Sequence, residues 1–407
     1  VSLEATGLRM TAPRKNRSAI FALERRTFRL STKHQVVLFD RLPPAQQARL
    51  APLRRDPEFY GVVVPRGELA PSAMIAASRD VALLLLTLQE PGPLPAYVAD
   101  RRNPEIDRAL EQLILDGILE IESEGRFVSG PSALNPTNSE NAQLGHIAAL
   151  SQAATIYASE FDTRDKLDVE ARLYRYNYTP ISPAWSARIP AYGALRAFLR
   201  IDHGPTAALI NRRWETLPHD DADAWIQWMT RGEGVVRSTA RDVNYKLYVS
   251  PALADLPSVF ATVVEVLAEA DVAAFKVGGT PRDVARPDKI VAYFRTRERA
   301  LECGELLCTR LAGARVQGVP FSAEIGGDGL VSWGVDPADI RGREAQSSWR
   351  RWVCRRLAQY LTAAAANPSP GMPAWRFALE RLRLDGVDTT TWEPDVTIMS
   401  SGAWGTA

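Results

Sequence analysis

The chain of 407 residues is 46% hydrophobic and 24% charged, the profile of an ordinary globular protein with room for two or three domains of about 150 residues each. Its formal net charge of +1 gives no global electrostatic case for nucleic acid or an anionic membrane as partner, so any cationic site is local. The run Ala82-Leu83-Leu84-Leu85-Leu86 is far too short to span a bilayer, residues 1–10 lack a signal-peptide core, and Cys303, Cys308 and Cys354 have no metal-ligand spacing, which together point to reduced thiols in the cytoplasm.

In chain order, residues 1 to about 70 are Arg-rich, with strand-like pieces at 35–39 and 60–64 punctuated by Pro43, Pro44, Pro52 and Pro65. A helix is expected over 77–88, stopped by Glu90-Pro91-Gly92-Pro93, and a shorter segment over 94–100. A third helix carries Ile106, Ala109, Leu110, Leu113 and Ile114 at helical spacing, with Gly117 placed to end it. Residues 118–122 and 126–128, joined at Glu124-Gly125, read as a hairpin. Three helices and a β wing describe a winged-helix-like region at about 60–130.

Three roles remain open for that region. It is a packing domain, a DNA binder, or a contact for a leader peptide or partner. Glu105, Asp107, Glu111 and Asp116 place acid where phosphate contact wants base, which disfavours DNA. The strand near 60–64 and the ending Leu113-Ile114-Leu115-Asp116-Gly117-Ile118-Leu119 resemble the precursor-recognition domains of peptide-modifying enzymes, which hold a leader peptide as an added strand.

A Ser-, Asn- and Pro-rich linker is expected at 131–141, dividing an N-terminal region (1–130) from a larger domain (142–407). Helix follows over 142–171. Trp185, Trp214, Trp225 and Trp228 read as core or groove lining. Then Val243, Tyr245, Leu247 and Val249 alternate with Asn244, Lys246, Tyr248 and Ser250, the pattern of a half-buried strand that Pro251 ends. Lys246 and Tyr248 share one side of it, roughly 7 Å apart, as a candidate base and a candidate acid. Leu256, Val259, Phe260, Val263 and Leu267 form an amphipathic helix stripe. Strands are expected at 273–277 and 286–294, the latter with Lys289 and Tyr293 on one face. A helix is expected over 297–311, and Val319, Phe321, Ala323 and Ile325 alternate as a further strand. Residues 330–334 follow a Gly-rich turn, and a last helix carries Trp349, Trp352, Val353, Leu357 and Tyr360. Interleaved strands and helices make the fold class α+β.

No phosphate loop, kinase catalytic loop or zincin motif is present. His34, His146, His203 and His219 make no plausible metal cluster, so metal-free chemistry without a cofactor is expected. What remains is a set of cations beside the expected strands: Arg237, Arg241, Lys246, Lys276, Arg286, Lys289 and Arg350. Any one of these is usually a solvated strand edge, whereas several converging make an oxyanion or phosphate site. A lysine among other cations loses its proton more easily and becomes a base near neutral pH.

Lys246-Leu247-Tyr248, Phe275-Lys276-Val277 and Arg286-Pro287-Asp288-Lys289 with Tyr293, in this order, resemble the effector-like lyase family named after HopA-type type III effectors. That family occurs beside kinase-like partners in class V lanthipeptide and thioamitide pathways, and is distantly similar to the phosphothreonine lyases of enteric pathogens. The resemblance covers roughly residues 170–395. It implies elimination of phosphate from phosphoserine or phosphothreonine in a ribosomal precursor peptide, giving dehydroalanine or dehydrobutyrine. By it Lys246 takes the α-proton and Lys276 sits close to the phosphate. Arg286, Lys289, Arg350, Arg237 and Arg241 are phosphate-clamp candidates, and Tyr293 and Asn244 are candidates for positioning the substrate. Tyr248 stands where the secreted lyases have His, and either donates a proton, positions the phosphate or packs as an ordinary strand tyrosine. Since no kinase motif lies in this chain, a separate Ser/Thr kinase-like protein is the implied partner, with a cyclase as a further candidate. A non-catalytic protein that captures phosphorylated or leader peptide is the alternative from a different class, and a winged-helix DNA regulator is a distant third.

Overall fold

The computed structural model describes residues 26–66, 74–101, 103–123, 125–130, 133, 144–163, 165–218, 224–231, 245–337, 348–366 and 372–396. The chain is α+β and divides after Glu140 into two compact units. Of the expected linker at 131–141, only Ala133 is among the described residues. No helix among the described residues is long and apolar enough to cross a membrane.

In the first unit, β2 (His34–Leu38), β3 (Phe59–Pro65) and β4 (Ile75–Ser78) form one antiparallel sheet. Helices follow at Arg79–Thr87, Ala96–Ala99 and Pro104–Leu115. The hairpin of β5 (Leu119–Ser123) and β6 (Arg126–Val128) turns at Gly125, where φ is +74°. The first helix starts later than its sequence suggested, because 75–78 is strand and Ser78 Oγ accepts the Val81 N–H as an N-cap. The hairpin gains a third strand, β1 (Phe28–Leu30), which the sequence did not single out. Phe28, Leu85, Ile114 and Leu119 centre this unit's core.

The second unit opens with helices His146–Ser159 and Lys166–Arg175, where one was expected. Asp165 divides them, its Oδ1 accepting the Leu167 N–H at 2.8 Å. Its seven strands are β7 (Trp214–Thr216), β8 (Trp225–Thr230), β9 (Tyr245–Val249), β10 (Ala274–Gly278), β11 (Ile290–Phe294), β12 (Ala323–Ile325) and β13 (Val331–Val335). They lie in the antiparallel order β12-β13-β9-β11-β10-β8-β7.

β9 is buried on both faces rather than half-buried, because helices cover the sheet front and back. On one face Leu247 meets the helix Arg297–Arg310 at Gly304, where a Cβ would lie 3.2 Å from Leu247 Cδ1 and 2.6 Å from Ile325 Cδ1. Further along, Phe260 of the helix Leu256–Glu269 packs with Trp228 and Phe275. The opposite face receives the helix Trp349–Ala366, which also pairs with Lys166–Arg175 and Ala374–Leu384.

Two expected strands are shorter than their patterns. The first begins only at Ile290, since 279–289 is a turn packed on Gly278. The second begins at Ala323, because Phe321 takes a left-handed φ of +65°.

Gly334 of β13 sets how closely the helix Trp349–Ala366 approaches. A Cβ there would fall 2.6 Å from Trp349 Cγ, and Trp349 is fully buried with its indole N–H donating to Phe321 O. Gly334→Ala should therefore cost about 1–3 kcal/mol through overpacking. Urea unfolding of the purified variant checks this, and an unchanged midpoint would contradict the packing.

Candidate active site

Antiparallel register builds the site. Tyr293 of β11 lies opposite Lys246 of β9, and Val291 opposite both Tyr248 and Lys276 of β10. Residues directly opposite share a face, so three adjacent strands present Lys246, Tyr248, Lys276 and Tyr293 on the same side. Trp225 of β8 pairs with Gly278 and brings its ring under Lys276, whose Nζ lies 4.0 Å from the centroid.

The turn before β11 adds Arg286 and Asp288, the helix Lys166–Arg175 adds Glu170, Tyr174 and Arg175, and the helix Trp349–Ala366 adds Arg350 and Arg351. Together they enclose a cavity of about 610 Å³. Among the described residues six cations line it (Arg175, Lys246, Lys276, Arg286, Arg350, Arg351) against two carboxylates, Glu170 and Asp288. That excess suits an anionic ligand.

Asp288 organises the arginines. Its Oδ1 lies 3.0 Å from Arg286 Nε and its Oδ2 2.8 Å from Arg350 Nη1. Arg286 Nη2 also donates to Tyr174 Oη at 2.9 Å. Arg350 donates from Nε to Pro320 O and from Nη2 to Tyr174 O, both at 3.2 Å. Burial alone would raise the Asp288 carboxyl, yet Arg350 and Arg286 hold it well below the usual carboxylate range.

The two lysines differ. Lys246 Nζ lies 2.5 Å from Asp336 Oδ2. Lys276 has no carboxylate within ion-pair distance among the described residues, and burial, followed by the charge of Lys246, pushes it down to about 8. Burial, then Asp336, raises the Tyr248 phenol well above its ordinary value, and Tyr293 is raised for the same reasons. Both stay protonated near neutral pH.

Of the residues singled out from the sequence, Lys246, Tyr248, Lys276, Tyr293, Arg286 and Arg350 converge on this cavity. Lys289 does not line it, which corrects its place in the clamp. It precedes β11, is fully buried, and its ammonium donates to Pro251 O at 2.7 Å and to Gln317 Oε1. Burial pushes Lys289 down to about 7. Arg237, Arg241 and Asn244 lie outside the described residues.

The carboxylates Asp288 and Asp336, the phenol Tyr174 and the cation Arg175 were not singled out. One available signal was composition: only six of the 49 Lys and Arg residues are lysine, and Lys246, Lys276 and Lys289 are three of them.

No family model matches the chain, and no curated protein does. Among solved structures, the effector protein from Pseudomonas syringae pv. tomato strain DC3000 is similar over 60% of this chain and 97% of its own, at 16% identity and a TM-score of 0.39. The type III effector/phosphothreonine lyase OspF from Shigella flexneri is similar over 41% and 96%, at 15% identity and a TM-score of 0.27. For the phosphothreonine lyase SpvC from Salmonella the shares are 43% and 99%, at 14% identity and a TM-score of 0.27. At these values likeness assigns neither fold nor activity.

Removing the charge of Asp288 leaves Arg350 without its counter-ion and Arg286 with Asp283 alone at 3.6 Å among the described residues. Asp288→Asn should destabilise the second unit by about 3–5 kcal/mol. Chemical denaturation reads this directly, and wild-type stability in the variant would show that the clamp is held by other groups.

Proposed function

We propose that the protein is a lyase that eliminates phosphate from phosphoserine or phosphothreonine in a peptide. The observation that carries this is the pair of lysines in one cation-rich cavity: Lys246 held by Asp336, and Lys276 without a carboxylate partner and pushed down to about 8. One is suited to remain a cation and the other to give up its proton.

The chemistry follows from those states. Lys276 removes the α-proton, the Cα–H electrons form the Cα=Cβ bond, and the Cβ–O bond breaks with its electrons leaving on phosphate. Charge developing on the adjacent carbonyl oxygen needs a fixed cation, which Lys246 supplies. Arg286, paired with Asp288 and with Asp283 at 3.6 Å, stands on the cavity wall as the contact for the phosphate. Arg350, engaged at all three nitrogens, positions Asp288 and Tyr174 rather than gripping substrate. The Tyr248 hydroxyl makes no side-chain hydrogen bond among the described residues and keeps its proton to donate toward the leaving oxygen. The base is thus Lys276 rather than Lys246, which the family resemblance implied. The reason is electrostatic: an ion-paired ammonium is the poorer base.

In the finer reading the substrate is a ribosomal precursor peptide of a lanthipeptide or thioamitide pathway, and the products are dehydroalanine and dehydrobutyrine. A separate Ser/Thr kinase-like protein supplies the phosphate and a cyclase consumes the alkene. A leader-binding role for the N-terminal unit is supported by a groove of about 470 Å³ whose lining includes the exposed Tyr60, Leu83 and Leu86.

Lys276→Ala should lower turnover of a phosphothreonine peptide by about 10²–10⁴-fold while leaving its affinity nearly intact. In the wild type, kcat/KM should rise as pH passes about 8, where Lys276 becomes neutral, and then level off. A flat profile between pH 6 and 9, or full activity in Lys276→Ala, would remove Lys276 as the base. Binding with no turnover in any variant would favour the capture protein instead.

A further inference from the structure

Lys246 and the N-terminus of the helix Trp349–Ala366 share one carboxylate. Gly334 lies opposite Lys246, and Asp336 follows two residues later, just past the end of β13. Asp336 Oδ2 contacts Lys246 Nζ at 2.5 Å, while Oδ1 accepts the Trp349 N–H at 2.8 Å. The second contact satisfies one of the four N–H groups that the start of the helix Trp349–Ala366 leaves unpaired. With the Trp349 ring seated on Gly334, cap, tryptophan and lysine pack as one unit. Resting on the lyase reading above, we infer that Asp336 is a positioning residue that keeps Lys246 a fixed ammonium and so separates its role from that of Lys276.

The surroundings leave this task to Asp336. From β11 Lys246 faces the phenol Tyr293, whose ring centroid is 5.5 Å from Nζ. From β9 itself it has the phenol Tyr248, and from β10 the cation Lys276. In the turn before β11, Asp288 is already shared between Arg286 and Arg350. On the helix Lys166–Arg175, Glu170 is paired with Arg351 and Arg355, and Tyr174 and Arg175 bring no negative charge. Among the described residues Asp336 is thus the carboxylate within ion-pair distance of Lys246. Without it, two lysines in one cavity would compete to lose a proton, since like charges brought together are not both retained.

Asp336→Asn isolates the charge, because Asn Oδ1 still accepts the Trp349 N–H. Full-length protein labelled with ¹³C,¹⁵N-lysine contains six lysines, few enough to follow each side chain against pH without substrate. The Lys246 side-chain signals should change between wild type and D336N more than those of the other five lysines. With a phosphothreonine peptide, kcat in D336N should fall about tenfold or more, because the developing negative charge then meets a less firmly held cation. Asp336→Ser, which also caps helices, repeats the test if D336N folds poorly. Unchanged Lys246 signals in D336N would overturn the inference. If the wild type binds the peptide without eliminating phosphate, the lyase reading falls, and the lysine signals still decide whether Asp336 holds Lys246.

Discussion

Two lysines on one face of a sheet meet Arg286 of a turn and Arg350 of a helix, and two carboxylates make that arrangement possible. Asp288 neutralises Arg286 and Arg350, and Asp336 neutralises Lys246. Charges taken out of water carry a desolvation cost of several kcal/mol each, which is offset only by good geometry and further hydrogen bonds. Arg350 illustrates this, with Asp288, Pro320 O and Tyr174 O around its three nitrogens. Lys276 is the exception. It has an aromatic ring rather than a carboxylate beneath it, and desolvation acts on it almost unopposed. The reactive property of the site is therefore a lysine without a carboxylate partner beside three cations that have one.

Rigid elements hold that arrangement in place. β9 lies between β13 and β11, so its lysine and tyrosine are fixed by ladders on both sides. Gly304 and Gly334 let one helix approach each face more closely than any side chain would permit. Lys289, though outside the cavity, joins the ends of two elements that line it. It links Pro251, just past β9, to Gln317, whose Nε2 donates to Asn177 O and Ala285 O. A buried ammonium here ties together the segments that carry Tyr248, Tyr178 and Arg286.

Much of this was legible in the sequence, and the failures have physical causes. Period-2 alternation located β9 and set Lys246 beside Tyr248, and helical spacing located the stripe from Leu256 to Leu267. Alternation could not reveal that β9 is covered on both faces, because that depends on helices more than 50 residues away in the chain, such as Trp349–Ala366. Lys289 was placed with Tyr293 by extending a strand backward through Arg286-Pro287, where the chain is instead a turn. Asp336 carries no local signal, since its importance arises from register with Lys246 across β13 and from a cap on a helix that begins 13 residues later. Asp288 was quoted within a motif, yet its partners Arg350 and Tyr174 come from distant segments.

The central claim is that this cavity breaks the Cβ–O bond of a phosphorylated residue. The most direct measurement is to incubate a phosphothreonine or phosphoserine precursor peptide with the protein in ¹⁸O-labelled water, and to analyse peptide and phosphate by mass spectrometry. Elimination predicts a dehydrated peptide and inorganic phosphate free of ¹⁸O, because water takes no part in the bond that breaks. Recovery of Ser or Thr together with ¹⁸O-labelled phosphate would mean attack at phosphorus, and would contradict the account.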